Sequence, residues 1–133
     1  MKILVVDDEM DVKSLFLQRF RKEIKSGDFA FDFALSGKEA LHYLNDHYLE
    51  VSLILSDINM PGMSGIELLS QIFQLFHAPP PVVMMITAYG DEENRRQAIS
   101  NGANDFLTKP LDFALLKDKL KHLSLNGENT CSR

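Results

Sequence analysis

Residues 53–69 read LILSDINMPGMSGIELL, and this stretch decides the fold. Leu53-Ile54-Leu55-Ser56 is short and apolar without alternation, the pattern of a strand buried on both faces. Asp57 closes it. Residues 59–65, NMPGMSG, form a loop of breakers. A helical period then runs from about Ile66 to Phe76. A buried strand, a loop opening at its carboxyl end and an amphipathic helix make one step of a β-α alternation.

The same step recurs outward in both directions. Toward the N-terminus, Ile3-Leu4-Val5-Val6 is a second buried strand, ended by Asp7-Asp8. A helix is expected from Asp11 to Ile24, with Asp11 as its cap and Val12, Leu15, Phe16, Phe20 and Ile24 on one face. Ser26-Gly27-Asp28 stops it. Phe29, Phe31 and Phe33 then alternate with small or polar residues, which suits an edge strand. Ser36 followed by Glu39 is a capping box that opens a helix through Ala40, Leu41 and Leu44. Toward the C-terminus, Pro79-Pro80-Pro81 delivers the chain into Val82–Ile86, a fourth strand that leads to Thr87. Asp91–Asn101 is a shorter, polar helix stopped at Gly102. Asp105–Thr108 is a fifth strand followed by Lys109-Pro110. Asp112 caps a last helix that turns Phe113, Leu116, Leu120 and Leu123 inward. Residues 1–125 read as one domain, and residues 126–133 as a frayed polar tail that could lead into an output domain.

Strict alternation predicts a parallel five-stranded sheet with helices on both faces, joined by right-handed crossovers. Reactive groups in such sheets collect at the carboxyl ends of the strands. Asp7, Asp8, Asp57, Thr87 and Lys109 all stand at such ends. Three carboxylates packed together repel, and a hard cation such as Mg²⁺, which takes oxygen ligands, relieves that repulsion. A carboxylate can attack phosphorus to form an acyl phosphate, and Asp57, which can be flanked on both sides, is the candidate. Lys109 would supply charge and Thr87 a hydrogen bond to the phosphoryl group.

Bulk properties exclude several classes. The chain has 133 residues, 45% apolar and 25% charged, an ordinary globular composition. A net charge of -5 argues against a nucleic-acid binder. The tight Arg95-Arg96 pair reads as a solvated helix face. The single cysteine, Cys131, permits no intramolecular disulfide, which fits a reducing cytoplasm. No apolar run is long enough to span a bilayer, and the N-terminus lacks signal-peptide organisation.

Four segments in order, ILVVDDE at 3–9, LILSDINMPGMSGIELL at 53–69, MMITAYGD at 84–91 and GANDFLTKPLD at 102–112, resemble the receiver domain of two-component response regulators over about residues 1–123. The resemblance implies a flavodoxin-like, CheY-like sheet of strand order 2-1-3-4-5. It implies Asp57 as phosphoacceptor, with Asp8, Asp57 and the Asn59 backbone carbonyl as Mg²⁺ ligands and Asp7 acting through metal-bound water. Lys109 is similar to the lysine that pairs with the phosphoryl group, and the peptide after it is commonly cis in such domains. Thr87 and Phe106 resemble the switch pair, with Phe at a position where many receivers carry Tyr. Asn59 and Tyr89 stand where side chains tune the lifetime of the phosphoryl group, an ordinary loop role weighing equally.

The implied partners are a sensor histidine kinase or histidine phosphotransfer domain, and an output domain or target protein. A phosphorylation-dependent homodimer is allowed; direct nucleic-acid or membrane contact is not expected. The chain would be a phosphoacceptor and switch that assists its own phosphorylation and dephosphorylation, not an enzyme. The alternative is the N-terminal receiver of a multidomain regulator with a cyclase, phosphatase or kinase output. Three other classes fit less well. An FMN-binding loop would not carry Asp7-Asp8-Glu9. A haloacid-dehalogenase-type phosphatase needs a second acid where Asn59 stands. A purely structural module needs no acid cluster.

Overall fold

The computed structural model describes residues 1–76, 80–88 and 90–131, with the side chains of the last helix as far as residue 123. Tyr89 and Pro79 lie outside the described residues. Five parallel strands, β1 (Lys2–Val6), β2 (Ala30–Ala34), β3 (Leu53–Asp57), β4 (Val82–Thr87) and β5 (Asp105–Thr108), form one sheet in the order β2-β1-β3-β4-β5. The expected strand order and the edge position of the Phe-rich strand are both found. Six helices cover the sheet: α1 (Asp11–Arg19), α2 (Arg21–Ser26), α3 (Gly37–His47), α4 (Gly65–Leu75), α5 (Glu92–Ser100) and α6 (Phe113–Cys131).

Each face of the sheet carries its own core. On one side Leu4, Val6, Ile54, Val83 and Met85 pack against Leu44, Leu68, Leu69, Ile72 and Ala98 of α3, α4 and α5. On the other, Ile3, Val5, Leu53, Leu55 and Met84 meet Phe16, Phe20, Leu116 and Leu120. The second core is aromatic: Phe16 stacks on Phe20 and takes edge contacts from Phe31, Phe33 and Phe113. Alternation along each strand divides the apolar residues between these faces.

Several helix limits follow the expected chemistry. The Ser36 hydroxyl accepts the Glu39 N–H at 3.1 Å, and the Asp112 carboxylate accepts from Ala114 and Leu115 at 3.0 and 3.2 Å. Gly102 ends α5 at φ 107°, a conformation that favours glycine.

Four details differ from expectation. The first helix is not continuous: Phe20 leaves helical geometry at φ -106°, ψ 21° and separates α1 from α2. Hydrogen bonds from Phe20 N–H to Phe16 and from Ile24 N–H to Phe20 bridge the break, so the chain bends and keeps its apolar period. Leu15 is 40% exposed, while Phe16 and Phe20, one turn apart, take the core-facing positions. Asp11 is the first helical residue and not the cap; Met10 holds that position without a side-chain bond, while the Asp11 charge sits favourably in the first turn. Helix α6 continues to Cys131, past Leu123, since propagating an existing helix adds one hydrogen bond for each residue fixed.

Candidate functional site

Register builds the site. Val6 pairs with Ser56, Asp57 with Ile86 and Thr87 with Thr108, so residues 7, 57, 87 and 109 emerge at one edge. The Lys109 N–H bonds the Thr87 carbonyl at 2.9 Å, extending the β4–β5 pairing by one residue. The Lys109-Pro110 peptide is cis.

At this edge Asp57 is 1% exposed and Asp7 6%; Asp8 is more open. Carboxylate oxygens of Asp7, Asp8 and Asp57 lie within 4.8 Å of one another. The Lys109 ammonium donates to one Asp57 oxygen at 2.9 Å, and the Asn59 backbone N–H donates to the other at 3.2 Å. One Asp7 oxygen accepts the Glu9 N–H at 2.9 Å. The Thr87 side chain is fully buried, and among the described residues its hydroxyl makes one long contact, donating to the Ala88 carbonyl at 3.5 Å.

Electrostatics follow from this packing. Burial raises the Asp7 carboxyl above the ordinary carboxylate range; the Glu9 N–H works against it and the Asp57 charge adds to it. For Lys109, burial acts to lower the ammonium's pKa. The hydrogen bond and charge of Asp57, with Asp7 and Glu9 behind it, outweigh burial and hold the group above the usual lysine value. The cluster therefore favours added positive charge. Its donors are all oxygen, the set a hard divalent cation takes.

Gly65 shapes the floor of the site. Its N–H bonds the Ile58 carbonyl at 2.8 Å, and a Cβ there would stand 2.3 Å from the Asp57 carbonyl oxygen. Helix α4 is thus seated directly against the backbone that carries Asp57. Ser64 caps it by accepting the Glu67 N–H at 3.1 Å. That Ser-x-x-Glu box at 64–67 is a helix-start signal inside a stretch whose breakers announce only a loop.

The two expected switch positions sit on one face of the sheet. Phe106 pairs in register with Met85, two residues before Thr87, and its ring is half-buried against the first core. The Arg95 guanidinium lies over that ring at 3.8 Å from the centroid. Arg96 is 75% exposed, as a solvated helix face requires, but Arg95 departs from that reading. Tyr89 falls outside the described residues, and the Asn59 side chain is exposed.

The response regulator receiver domain family model matches residues 3–121. Response regulator RppA of Synechocystis sp. is 35% identical over 123 residues, 92% of this chain and 50% of that protein. The chain thus spans half the length of this curated relative. A receiver domain structure from Clostridium thermocellum superposes with a TM-score of 0.77 at 26% identity, covering 97% of this chain and 98% of the other. The receiver domain of Ssk1 from Saccharomyces cerevisiae, solved with the histidine phosphotransfer protein Ypd1, gives 0.75 at 26% identity, covering 90% and 86%. Among the described residues no helix is long and apolar enough to cross a membrane.

Proposed function

The chain belongs to the response regulator receiver family, and from that premise we propose that Asp57 accepts a phosphoryl group from a histidine kinase or a histidine phosphotransfer protein. One observation carries the proposal: a buried carboxylate held 2.9 Å from an ammonium, with two further carboxylates close by. An Asp57 oxygen forms a bond to phosphorus as the donor's nitrogen–phosphorus bond breaks and the imidazole leaves. Lys109 balances charge gathering on the phosphoryl oxygens. The Thr87 hydroxyl, whose present contact is long, can turn to donate to one of them.

Asp8, Asp57 and the Asn59 carbonyl would hold Mg²⁺, with Asp7 acting through water. The ion, when bound, supplies charge neutralisation for phosphoryl transfer. The group gained at Asp57 offers acceptor oxygens that did not exist before. That differential contact can shift Thr87 and Phe106 between two arrangements. The chain acts as phosphoacceptor and switch, and its partner is a histidine kinase or a histidine phosphotransfer protein.

The test is chemical. Incubation with Mg²⁺ and acetyl phosphate should add one phosphoryl mass, and Asp57→Asn should abolish the addition. Equal labelling of the Asp57→Asn protein refutes the assignment. A second reading, a receiver placed before an enzymatic output domain, is supported by a cyclic di-GMP phosphodiesterase of Thermotoga maritima, 31% identical over 126 residues that make up 32% of its length. The coding sequence beyond Arg133 decides it.

A further inference from the structure

We propose that Arg95 is the latch of the switch. Its guanidinium, laid on the Phe106 ring, holds the ring in its present half-buried position and opposes the turn that would follow phosphorylation. The inference rests on the reading of Thr87 and Phe106 as the switch pair and names what sets its balance.

The contact is close. The other cation–ring approaches among the described residues, Lys117 over Phe20, Arg19 over Phe113 and Lys13 over Phe33, stand at 5.4, 5.6 and 6.0 Å. Arg95 sits at 3.8 Å, the distance of a guanidinium in van der Waals contact with a ring face. Its side chain is 35% exposed, so the pair is partly shielded from water. Glu92, three residues earlier on α5, accepts from the guanidinium at 3.1 Å and steadies it.

Two further observations make this contact a control point. Helix α5 buries only Ala98, so the Arg95–Phe106 stack is a large part of what ties the helix to β5. The backbone under the ring is fixed separately. Asp105 accepts the Phe106 N–H at 2.8 Å with one oxygen and the Lys119 ammonium at 2.6 Å with the other. The backbone of the strand is therefore held independently of the ring. A contact made in the present arrangement and lost in the switched one biases the equilibrium by its whole strength. For a partly shielded cation–ring pair that is a factor of about 2 to 30.

Beryllofluoride with Mg²⁺, a phosphoryl mimic, reads this bias through amide shifts. Arg95→Gln keeps a good helix former and removes the cation. It should bind beryllofluoride about 2 to 30 times more tightly than wild type. Arg95→Lys keeps the charge but not the planar stack and should fall between. In a Phe106→Leu background the Arg95→Gln effect should vanish. In the wild type, the ring-current shift of the Arg95 δ-methylene protons should be present in the free protein and lost at saturation. Equal or weaker affinity in Arg95→Gln, the same gain without the ring, or a ring-current shift that persists at saturation overturns the latch alone. A wild-type chain that takes up no beryllofluoride overturns the phosphoryl reading and the latch with it.

Discussion

Gly65→Ala tests whether α4 is seated against the backbone that carries Asp57. A Cβ at 65 would meet the Asp57 carbonyl oxygen at 2.3 Å, the Ile58 Cα at 2.9 Å and the Asp57 carbonyl carbon at 3.0 Å. Ordinary contact begins at 3.4 Å, so the helix start and the end of β3 must separate by about 1 Å, the scale of core overpacking. The obstructing atoms are backbone of a central strand and have no rotamer into which to retreat. Overpacking of this kind costs about 1–3 kcal/mol, set against a gain of up to about 1 kcal/mol from alanine's helix propensity. The net expectation is a loss of about 1–2 kcal/mol. Gly37→Ala is the control. Its Cβ would meet the Met63 sulfur at 2.7 Å, which can yield, and the Met63 Cβ and Cγ at 3.0 Å, which need give only a few tenths of an ångström. In urea, with a slope of about 1–3 kcal/mol/M, the Gly65→Ala midpoint should fall by roughly 0.5–1 M and that of Gly37→Ala by much less. Beryllofluoride affinity should drop with Gly65→Ala, because the Asp57 carbonyl is what must move. A Gly65→Ala protein no less stable than Gly37→Ala refutes the reasoning.

Mg²⁺ alone should raise the melting temperature of the wild type by binding the folded state, and Asp8→Ala should remove that rise; an equal rise in both proteins removes Asp8 from the ligand set. Tyr43→Phe tests a site at the opposite edge of the sheet, where the Tyr43 hydroxyl donates to Asp32 and Lys2 pairs with the same carboxylate at 3.0 Å. Burial acts to raise the Asp32 pKa, but Tyr43 and Lys2 outweigh it and hold the carboxyl below its usual range. A depressed folded value gives stability that is present above the ordinary carboxylate pKa of about 4 and lost as pH falls through the folded value. Tyr43→Phe should therefore cost about 0.5–1.5 kcal/mol at neutral pH. The gap to wild type should narrow below about pH 4, read from urea midpoints at both pH values; a gap that does not change with pH counts against the bond to the ionised carboxylate.

The sheet and its reactive edge were legible because both depend on features a single sequence displays. Strands buried on two faces read as unbroken apolar runs, and a run must stop where a charged side chain needs water, a cation or a partner. Asp7, Asp57 and Lys109 mark those stops, and parallel register alone then brings Asp57 and Lys109 together across 52 positions of sequence. The bend at Phe20 was not legible, because the apolar period that announces a helix continues unchanged through it. Arg95 was not legible for a related reason. On α5 it is one of an arginine pair with acids three residues before each, the pattern of a solvated face, and Arg96 with Glu93 obeys that pattern. Arg95 bonds Glu92 in the same way, so local sequence treats the two arginines alike. Only the placement of α5 over β5 distinguishes them, by setting one guanidinium on Phe106 and leaving the other in solvent. The groups on which the proposed phosphoryl acceptance rests thus stand at strand ends. In the proposed latch, the energy opposing the switch would lie in how a weakly buried helix is laid across the sheet, which is where substitutions would retune the response without touching the acids.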